Sequence, residues 1–209
     1  MSSDKKVIIV GNSTTILSEE YGDVIDSYDV VIRINKCATT GFEKHTGSRT
    51  DIWATTHHKY HLDFIPDDYK NIKELWRRTP SVKMSLPKDF PEVNNLVMYK
   101  NSDFKFESVV NVLSHEPCTG LLAILTSTLF YKDITIVGFT FYTEQDEVTA
   151  YYREYELDDN GNHPEDVYWE RVKKSGFASD ENGFKKINII KKMVDDGNIK
   201  LLNPNELKG

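Results

Sequence analysis

The chain has 209 residues, of which 39% are hydrophobic and 28% charged; this suffices for one globular domain with a sizeable core and argues against a disordered polymer. Lys and Arg total 26 against 33 Asp and Glu, a formal charge of −7, which disfavours a nucleic-acid partner while leaving room for a local basic pocket. No apolar run approaches the ~18 residues that a membrane span requires, and the VIIV stretch at 7–10 is too short for the core of a signal peptide.

The first element is KVIIV at 6–10, a β-branched run suited to a strand buried on both faces. It ends at Gly11-Asn12-Ser13, ahead of a short helix toward Glu20. Strand, glycine turn and helix together open an α/β unit. Further strands are expected at 29–34, ending at Asn35, and at 51–55. Residues 61–95 are polar, carry Pro66, Pro80, Pro87 and Pro91, and resist assignment; a strand follows at 96–99. Ser102 is placed to cap a helix running to about Leu113, with Phe104, Val109 and Val110 at helical spacing. Pro117-Cys118-Thr119-Gly120 introduces an apolar helix from Leu121 to Tyr131, and the strand at 134–137 ends at Gly138-Phe139. From Thr140 to Gly161 the chain is acidic, aromatic and irregular, in the manner of an active-site loop or lid. Helices near 165–175 and 183–195, a stop at Gly197 and a last strand at 199–202 complete the order. With no repeat, low-complexity tract or linker, residues 1–209 read as a single α/β domain.

In an open parallel sheet, the turns after the strand C-termini form the usual ligand crevice. Gly11 allows close backbone approach there, and Asn12, Ser13 and Asn35 offer donors and acceptors to a base, ribose or phosphate. A plain structural turn would carry the same glycine. The further glycines of a GxGxxG fingerprint and the P-loop lysine are both absent. The turn at 117–120 combines backbone N–H groups, the Thr119 hydroxyl and a helix dipole, which suits a phosphate and equally an ordinary helix start.

The order and spacing of these pieces carry more than any one of them. The region 7–51 reads VIIVGNS, then YGDVIDSYDVVIRIN, then GFEKHTGSRTD. It resembles the large sialylmotif of the eukaryotic-type sialyltransferases, glycosyltransferase family 29, with its GNS turn, its ID..D.V.R.N segment and its GFE segment. The region 116–139, EPCTGLLAILTSTLFYKDITIVGF, is similar to the small sialylmotif, with its P.TG turn, apolar helix, strand and terminal GF. The resemblance implies a Rossmann-like variant of the GT-A fold. It also implies a metal-independent, inverting glycosyltransferase that moves sialic acid or a related keto-sugar acid from a CMP-linked donor to a glycan hydroxyl. No cofactor is then needed beyond that donor. Carried over residue by residue, Gly11, Asn12, Ser13 and Asn35 would meet the nucleotide, and Thr119 and Gly120 would hold the CMP moiety. The DxD metal motif of ordinary GT-A enzymes is missing, and the pairs Asp67-Asp68, Asp158-Asp159 and Asp195-Asp196 are expected to face solvent. CMP leaves with one phosphate, so hydrogen bonds and a helix N-terminus can take the role of a cation. A donor carboxylate wants positive charge, for which Arg33, Lys36 and Lys44 are candidates.

Transfer needs a base for the acceptor hydroxyl, and histidine suits that role with an unperturbed pKa of ~6.5. The family's third motif fits at Ala150-Tyr151-Tyr152-Arg153, with alanine in the histidine slot; Tyr151 or Tyr152 would donate to the phosphate. The family's base lies in an HxxxxE motif. His163 is the downstream histidine, flanked by Glu165, with Tyr168 in the glutamate slot; counted from the C-terminal helix, the base slot falls near Glu181 or Asn182. The expected catalytic residue is His163. His57, His58 and His61 lack a nearby cysteine, so they read as a cleft border rather than a zinc site. Arg49 and Asp51 are expected to pair within the motif's loop. Trp53, Trp76 and Trp169 are core or sugar-facing aromatics, with Trp76 or Trp169 available to stack on an acceptor sugar.

Two cysteines, Cys37 and Cys118, fit no CxxC pattern and no disulfide framework. The disulfide that joins the two sialylmotifs in the family would need cysteines near Lys6 and Tyr131–Lys132, where there are none. Cys37 and Cys118 instead sit in the two donor turns, as buried thiols or a pair. Together with the lack of an anchor and stem, this sets the expectation of a soluble, cytoplasmic catalytic core. The alternatives are a degenerate nucleotide- or glycan-binding module, and a transferase for another nucleotide sugar.

Overall fold

The apolar run that opens the chain becomes the middle of a sheet. Val7, Ile8, Ile9 and Val10 are at most 2% exposed in strand β1 (Ser3–Val10). This strand lies between β2 (Val30–Ile34) and β6 (Tyr131–Val137), parallel to both, with Val7 opposite Val30 on one side and Ile134 on the other. A strand covered on both faces must be apolar at consecutive positions, which accounts for the unbroken VIIV. A computed structural model describes residues 3–56, 65–78, 86–98, 113, 117–141, 150 and 180–203.

Beyond β2 the sheet continues through β3 (Ile52–Thr55), β4 (Glu74–Arg77) and β5 (Asn94–Val97), and β7 (Lys200–Leu201) flanks β6. The order is β5-β4-β3-β2-β1-β6-β7, and every pair is parallel. This is the Rossmann-like α/β sheet that the sequence implied. On one face, a 3-10 turn (Thr14–Ser18) and two short helices, α1 (Gly22–Asp26) and α2 (Glu43–Thr46), are present; Ile8, Val10 and Val31 pack there with Ile16, Ile25 and Phe42. On the other face lie α3 (Thr119–Phe130) and α4 (Asp180–Asp195), where Val7, Ile9, Ile32 and Ile136 meet Leu121, Leu122, Ile187 and Ile190. Nine of the twelve residues of α3 are buried, so this helix is apolar nearly all round rather than along one stripe. Among the described residues, no helix is long and apolar enough to cross a membrane.

The differences from the sequence reading are local. The expected helix toward Glu20 is the 3-10 turn, which stops at Ser18. Strand β4 arises inside the unassigned stretch, because its two apolar residues, Leu75 and Trp76, are 2% and 1% exposed while charged neighbours conceal them in sequence. Strand β5 lies at 94–97 rather than 96–99, and α4 begins at Asp180. The helices expected near 102–113 and 165–175 lie outside the described residues, except for the buried Leu113.

From β1 the chain builds outward to β5 and then returns to β6 on the opposite side of β1, so the crevice-forming reversal falls between β1 and β6. Here two glycines touch. A Cβ on Gly11 would lie 2.1 Å from the Gly138 carbonyl oxygen, and Gly138 itself has φ +78°. Gly11→Ala should therefore cost about 3 kcal/mol or more, as backbone must separate to admit the methyl. Gly41→Ala, at φ +84° with nothing within 4 Å, should cost only about 1 kcal/mol from backbone strain. Urea unfolding of the two variants checks the difference; equal midpoints would refute the close-contact reading.

Candidate functional site

The turn after β1 is laced to the end of β6. Gly11 N–H donates to the Val137 carbonyl at 2.8 Å and Ser13 N–H to that of Gly138 at 3.0 Å. Ser13 caps the 3-10 turn, its Oγ accepting from Thr15 N–H at 3.3 Å and from Thr15 Oγ1 at 3.1 Å. Asn12 Nδ2 donates to the Ile34 carbonyl at 2.9 Å, tying this turn to the end of β2. There Asn35 adopts φ 53°, a left-handed conformation that asparagine tolerates better than most residues. Its Oδ1 accepts from Thr56 N–H at 2.9 Å, and its carbonyl accepts from Trp53 Nε1–H at 2.7 Å. Gly11, Asn12, Ser13 and Asn35 thus form one strip along the C-terminal edge of β6, β1 and β2. Asn12 Oδ1 and Asn35 Nδ2 make no hydrogen bond with the described residues.

Helix α3 feeds a parallel strand, so it runs against the strands and starts at this same edge. Cys118 is its N-cap residue and offers no side-chain cap bond. Thr119 is buried, and a Cβ on Gly120 would lie 2.8 Å from the Phe139 ring. Phe139 stacks on Phe141, with centroids 5.5 Å apart. The glycine of the P.TG turn therefore lets the residue after Gly138 pack onto the start of α3. Four N–H groups of a first helical turn lack intrahelical partners and give it a positive end. An antiparallel bridge joins Ser13 to Ala150, which brings the residue before Tyr151 to the β1 turn. Tyr151, Tyr152 and His163 themselves lie outside the described residues, as do His57, His58, His61, Trp169 and the pair Asp158-Asp159.

Several motif residues brace loops. Asp51, 3% exposed, accepts from Val31 N–H at 2.9 Å and pairs with Arg49 Nε at 3.0 Å and Lys73 Nζ at 2.5 Å. The expected Arg49–Asp51 pair is present. Arg49 also donates to the carbonyls of Asp26 and Tyr28, while the Asp26 carboxylate accepts from the N–H groups of Ser48 and Arg49. Arg33, fully buried, donates from Nε to the Arg49 carbonyl at 2.9 Å and from Nη2 to that of Thr46 at 2.7 Å. It braces the loop before β3 and is not placed as a cation for a donor. Lys44 pairs with Glu20 at 2.7 Å on the exposed surface.

The pair Asp67-Asp68 does not simply face solvent. Asp67 Oδ2 accepts from the N–H groups of Thr39 and Thr40 at 3.1 and 3.0 Å, and Asp68 Oδ2 from Thr50 N–H at 2.6 Å. Loop amides without a strand partner need acceptors, and these carboxylates supply them. Burial works upward on Asp67, but the bonds from Thr40 and Thr39 outweigh it and hold its carboxyl low; at Asp68 burial wins and pushes it up. Asp195 and Asp196 are exposed as expected. Trp76 is 1% exposed and packs near Phe130, so it cannot stack on an acceptor sugar. Trp53 is likewise a core residue, near Phe90. Cys37 and Cys118 are both free thiols.

One buried side chain went unnoticed in the sequence. Lys186 in α4 is 2% exposed, although it sits in the helical stripe of Gly183, Ile187 and Ile190 that faces the core. A lysine in an otherwise buried stripe was the available signal.

Two outcomes follow from this bracing. Asp51→Ala should cost about 3 kcal/mol, the low end for breaking a buried ion pair because Lys73 and Arg49 keep contact with water; urea unfolding measures it, and a loss below about 1 kcal/mol would contradict the bracing role. Burial, more than any neighbouring charge, pushes the Cys37 thiol up to about 12, so iodoacetamide at pH 8 should leave Cys37 unmodified until the protein is unfolded. Peptide mass mapping reads this out, and alkylation of Cys37 in the folded protein would be the contrary result.

The model of glycosyltransferase family 29 (sialyltransferase) matches residues 2–110. The chain is 38% identical over 161 residues to CMP-N-acetylneuraminate-beta-galactosamide-alpha-2,3-sialyltransferase 1 of Gallus gallus, covering 66% of this chain and 44% of that one. It is 24% identical over 228 residues to alpha-2,3-sialyltransferase 4 of Rattus norvegicus, covering 95% of this chain and 64% of the relative. A beta-1,6-galactosyltransferase of Arabidopsis thaliana is 52% identical over 44 residues, 21% of this chain and 11% of that protein. The chain thus spans less than two thirds of these relatives. A mammalian sialyltransferase crystallised with Gal-beta-1-3GalNAc-ortho-nitrophenol superposes with a TM-score of 0.60 at 18% identity, over 96% of this chain and 70% of the other, a likeness of fold. The family match covers more than half of the chain, including the β1 turn, Asn35 and the braced loop before β3; the chain belongs to glycosyltransferase family 29, the sialyltransferase family.

Proposed function

We propose that this protein is an inverting, metal-independent glycosyltransferase that moves sialic acid, or a related sugar, from a CMP-linked donor to a glycan hydroxyl. The observation that carries this reading is the convergence of the two sialylmotif turns at the β1–β6 reversal, where Gly11 abuts Gly138 and Gly120 abuts Phe139. The donor's base and ribose would lie along Asn12, Ser13 and Asn35, where Asn12 Oδ1 and Asn35 Nδ2 make no hydrogen bond with the described residues. Its phosphate would lie toward the start of α3, where Thr119, Gly120 and the free N–H groups stabilise the charge that grows as CMP leaves. Tyr151 and Tyr152 would donate to the same phosphate. The acceptor oxygen attacks the anomeric carbon, the bond from that carbon to the phosphate oxygen breaks, and the acceptor proton passes to His163. Inversion follows from a single displacement.

A second reading has its own support. The galactosyltransferase of Arabidopsis matches at 52% identity over its short segment, which favours a transferase of the same sheet with a different nucleotide sugar. Thermal shift with CMP, UDP and GDP separates the two: stabilisation by CMP alone is expected, and stabilisation by UDP or GDP without CMP would overturn the donor assignment. In donor hydrolysis and transfer assays, His163→Ala should lower turnover by ~10²-fold or more. Unchanged turnover would remove His163 as the base, and CMP binding without turnover on any acceptor would leave a binding module.

A further inference from the structure

Strand β2 ends in an exchange of hydrogen-bond acceptors. Its register with β3 sets Arg33 opposite Trp53 and Ile34 opposite Ala54, and Asn35 N–H continues the ladder by donating to the Ala54 carbonyl at 2.8 Å. The next rung of a parallel ladder would run from Thr56 N–H to the Asn35 carbonyl. The φ of 53° at Asn35 turns that carbonyl away, and Thr56 N–H donates instead to Asn35 Oδ1 at 2.9 Å. The side chain thus takes the rung that the backbone gives up. A carbonyl displaced from its ladder needs a new donor, and Trp53 Nε1–H supplies one at 2.7 Å.

The indole that receives this carbonyl is held by packing. Trp53 is 2% exposed, lies between Arg33 and Leu75 in the register of β2, β3 and β4, and packs with Cys37, Ile72 and Leu75. The orientation of the Asn35 carboxamide follows from its partner. A backbone N–H only donates, so the atom facing Thr56 is the oxygen, and the nitrogen is the atom left over. Asn35 Nδ2 makes no hydrogen bond with the described residues. Without the Trp53 bond, an extended Asn35 would return its carbonyl to Thr56 N–H, and the carboxamide would lose its anchor. We propose that Trp53 is a positioning residue of the nucleotide site: its indole N–H holds Asn35 in the left-handed conformation, which commits Oδ1 to Thr56 and leaves Nδ2 to donate to the bound nucleotide. This rests on the CMP-donor reading above and adds to it a core residue that touches no ligand.

The test is the CMP affinity of the full chain by calorimetric titration. Trp53→Phe keeps a ring in the core and removes the N–H. It should weaken CMP binding about fivefold, the scale of one neutral hydrogen bond. Two comparisons separate positioning from a general loosening of the fold. Trp76→Phe removes an indole that is 1% exposed and donates to Glu74 Oε2 at 3.0 Å; its CMP affinity should stay within about twofold of wild type. In an Asn35→Gly background, glycine accepts the positive φ and no carboxamide remains to be positioned. There Trp53→Phe should change CMP affinity by less than about twofold. Unchanged affinity in Trp53→Phe, an equal loss in Trp76→Phe, or the same loss with and without the Asn35 carboxamide would each overturn the proposal and leave the donor reading standing. A wild-type chain that does not bind CMP would overturn both. Should Trp53→Phe not fold, replacing Trp53 by benzothienylalanine, which keeps the ring shape and puts sulfur in place of the N–H, is read by the same criteria.

Discussion

The contact between Gly11 and Gly138 is the constraint from which the rest of the site follows. Two neighbouring parallel strands end at the same level, and the chain leaves them in different directions. Their backbones can stay in hydrogen-bond register only if nothing projects between them, since a Cβ on Gly11 would lie 2.1 Å from the carbonyl oxygen opposite. With both positions bare, Ser13 N–H reaches the Gly138 carbonyl and Phe139 turns back over Gly120. Three sequence features that lie far apart in the chain are thereby gathered on one edge.

Around that edge, the charged residues of the large motif act mainly as loop braces. Arg33 and Asp26 hydrogen-bond backbone groups of the connection between β2 and β3, Arg49 those of the connection before β2, and Asp51 the Val31 N–H of β2 itself. Such connections carry N–H and C=O groups with no ladder partner, and each must find one. The division of labour is chemical: charges hold the loops around β2 and β3, while small uncharged side chains, Asn12, Ser13 and Asn35, tie the turns at the strand ends.

Much of this was legible beforehand where one local signal was strong. The VIIV run, the glycine turn and the apolar helix after Pro117 each led to the element observed, because burial on both faces leaves an unambiguous pattern. Strand β4 was not legible, since two apolar residues amid Lys73, Glu74, Arg77 and Arg78 give no periodicity to read. The Asp67-Asp68 pair looked like a solvated surface run, and only the approach of loops at 39–40 and 50 turned its carboxylates into amide acceptors. Trp76 looked available to a sugar until β4 placed it within the core.

Sequence alone determined the family resemblance and the order of strands and helices around the two motifs, because these depend on short-range pattern. Tertiary structure decided which polar residues brace loops and which lie at the strand ends. It also buried Lys186 of α4, which is 2% exposed. Those assignments depend on distances between segments far apart in the chain, such as Arg33 and Thr46. Residue type and local spacing carry no record of such distances.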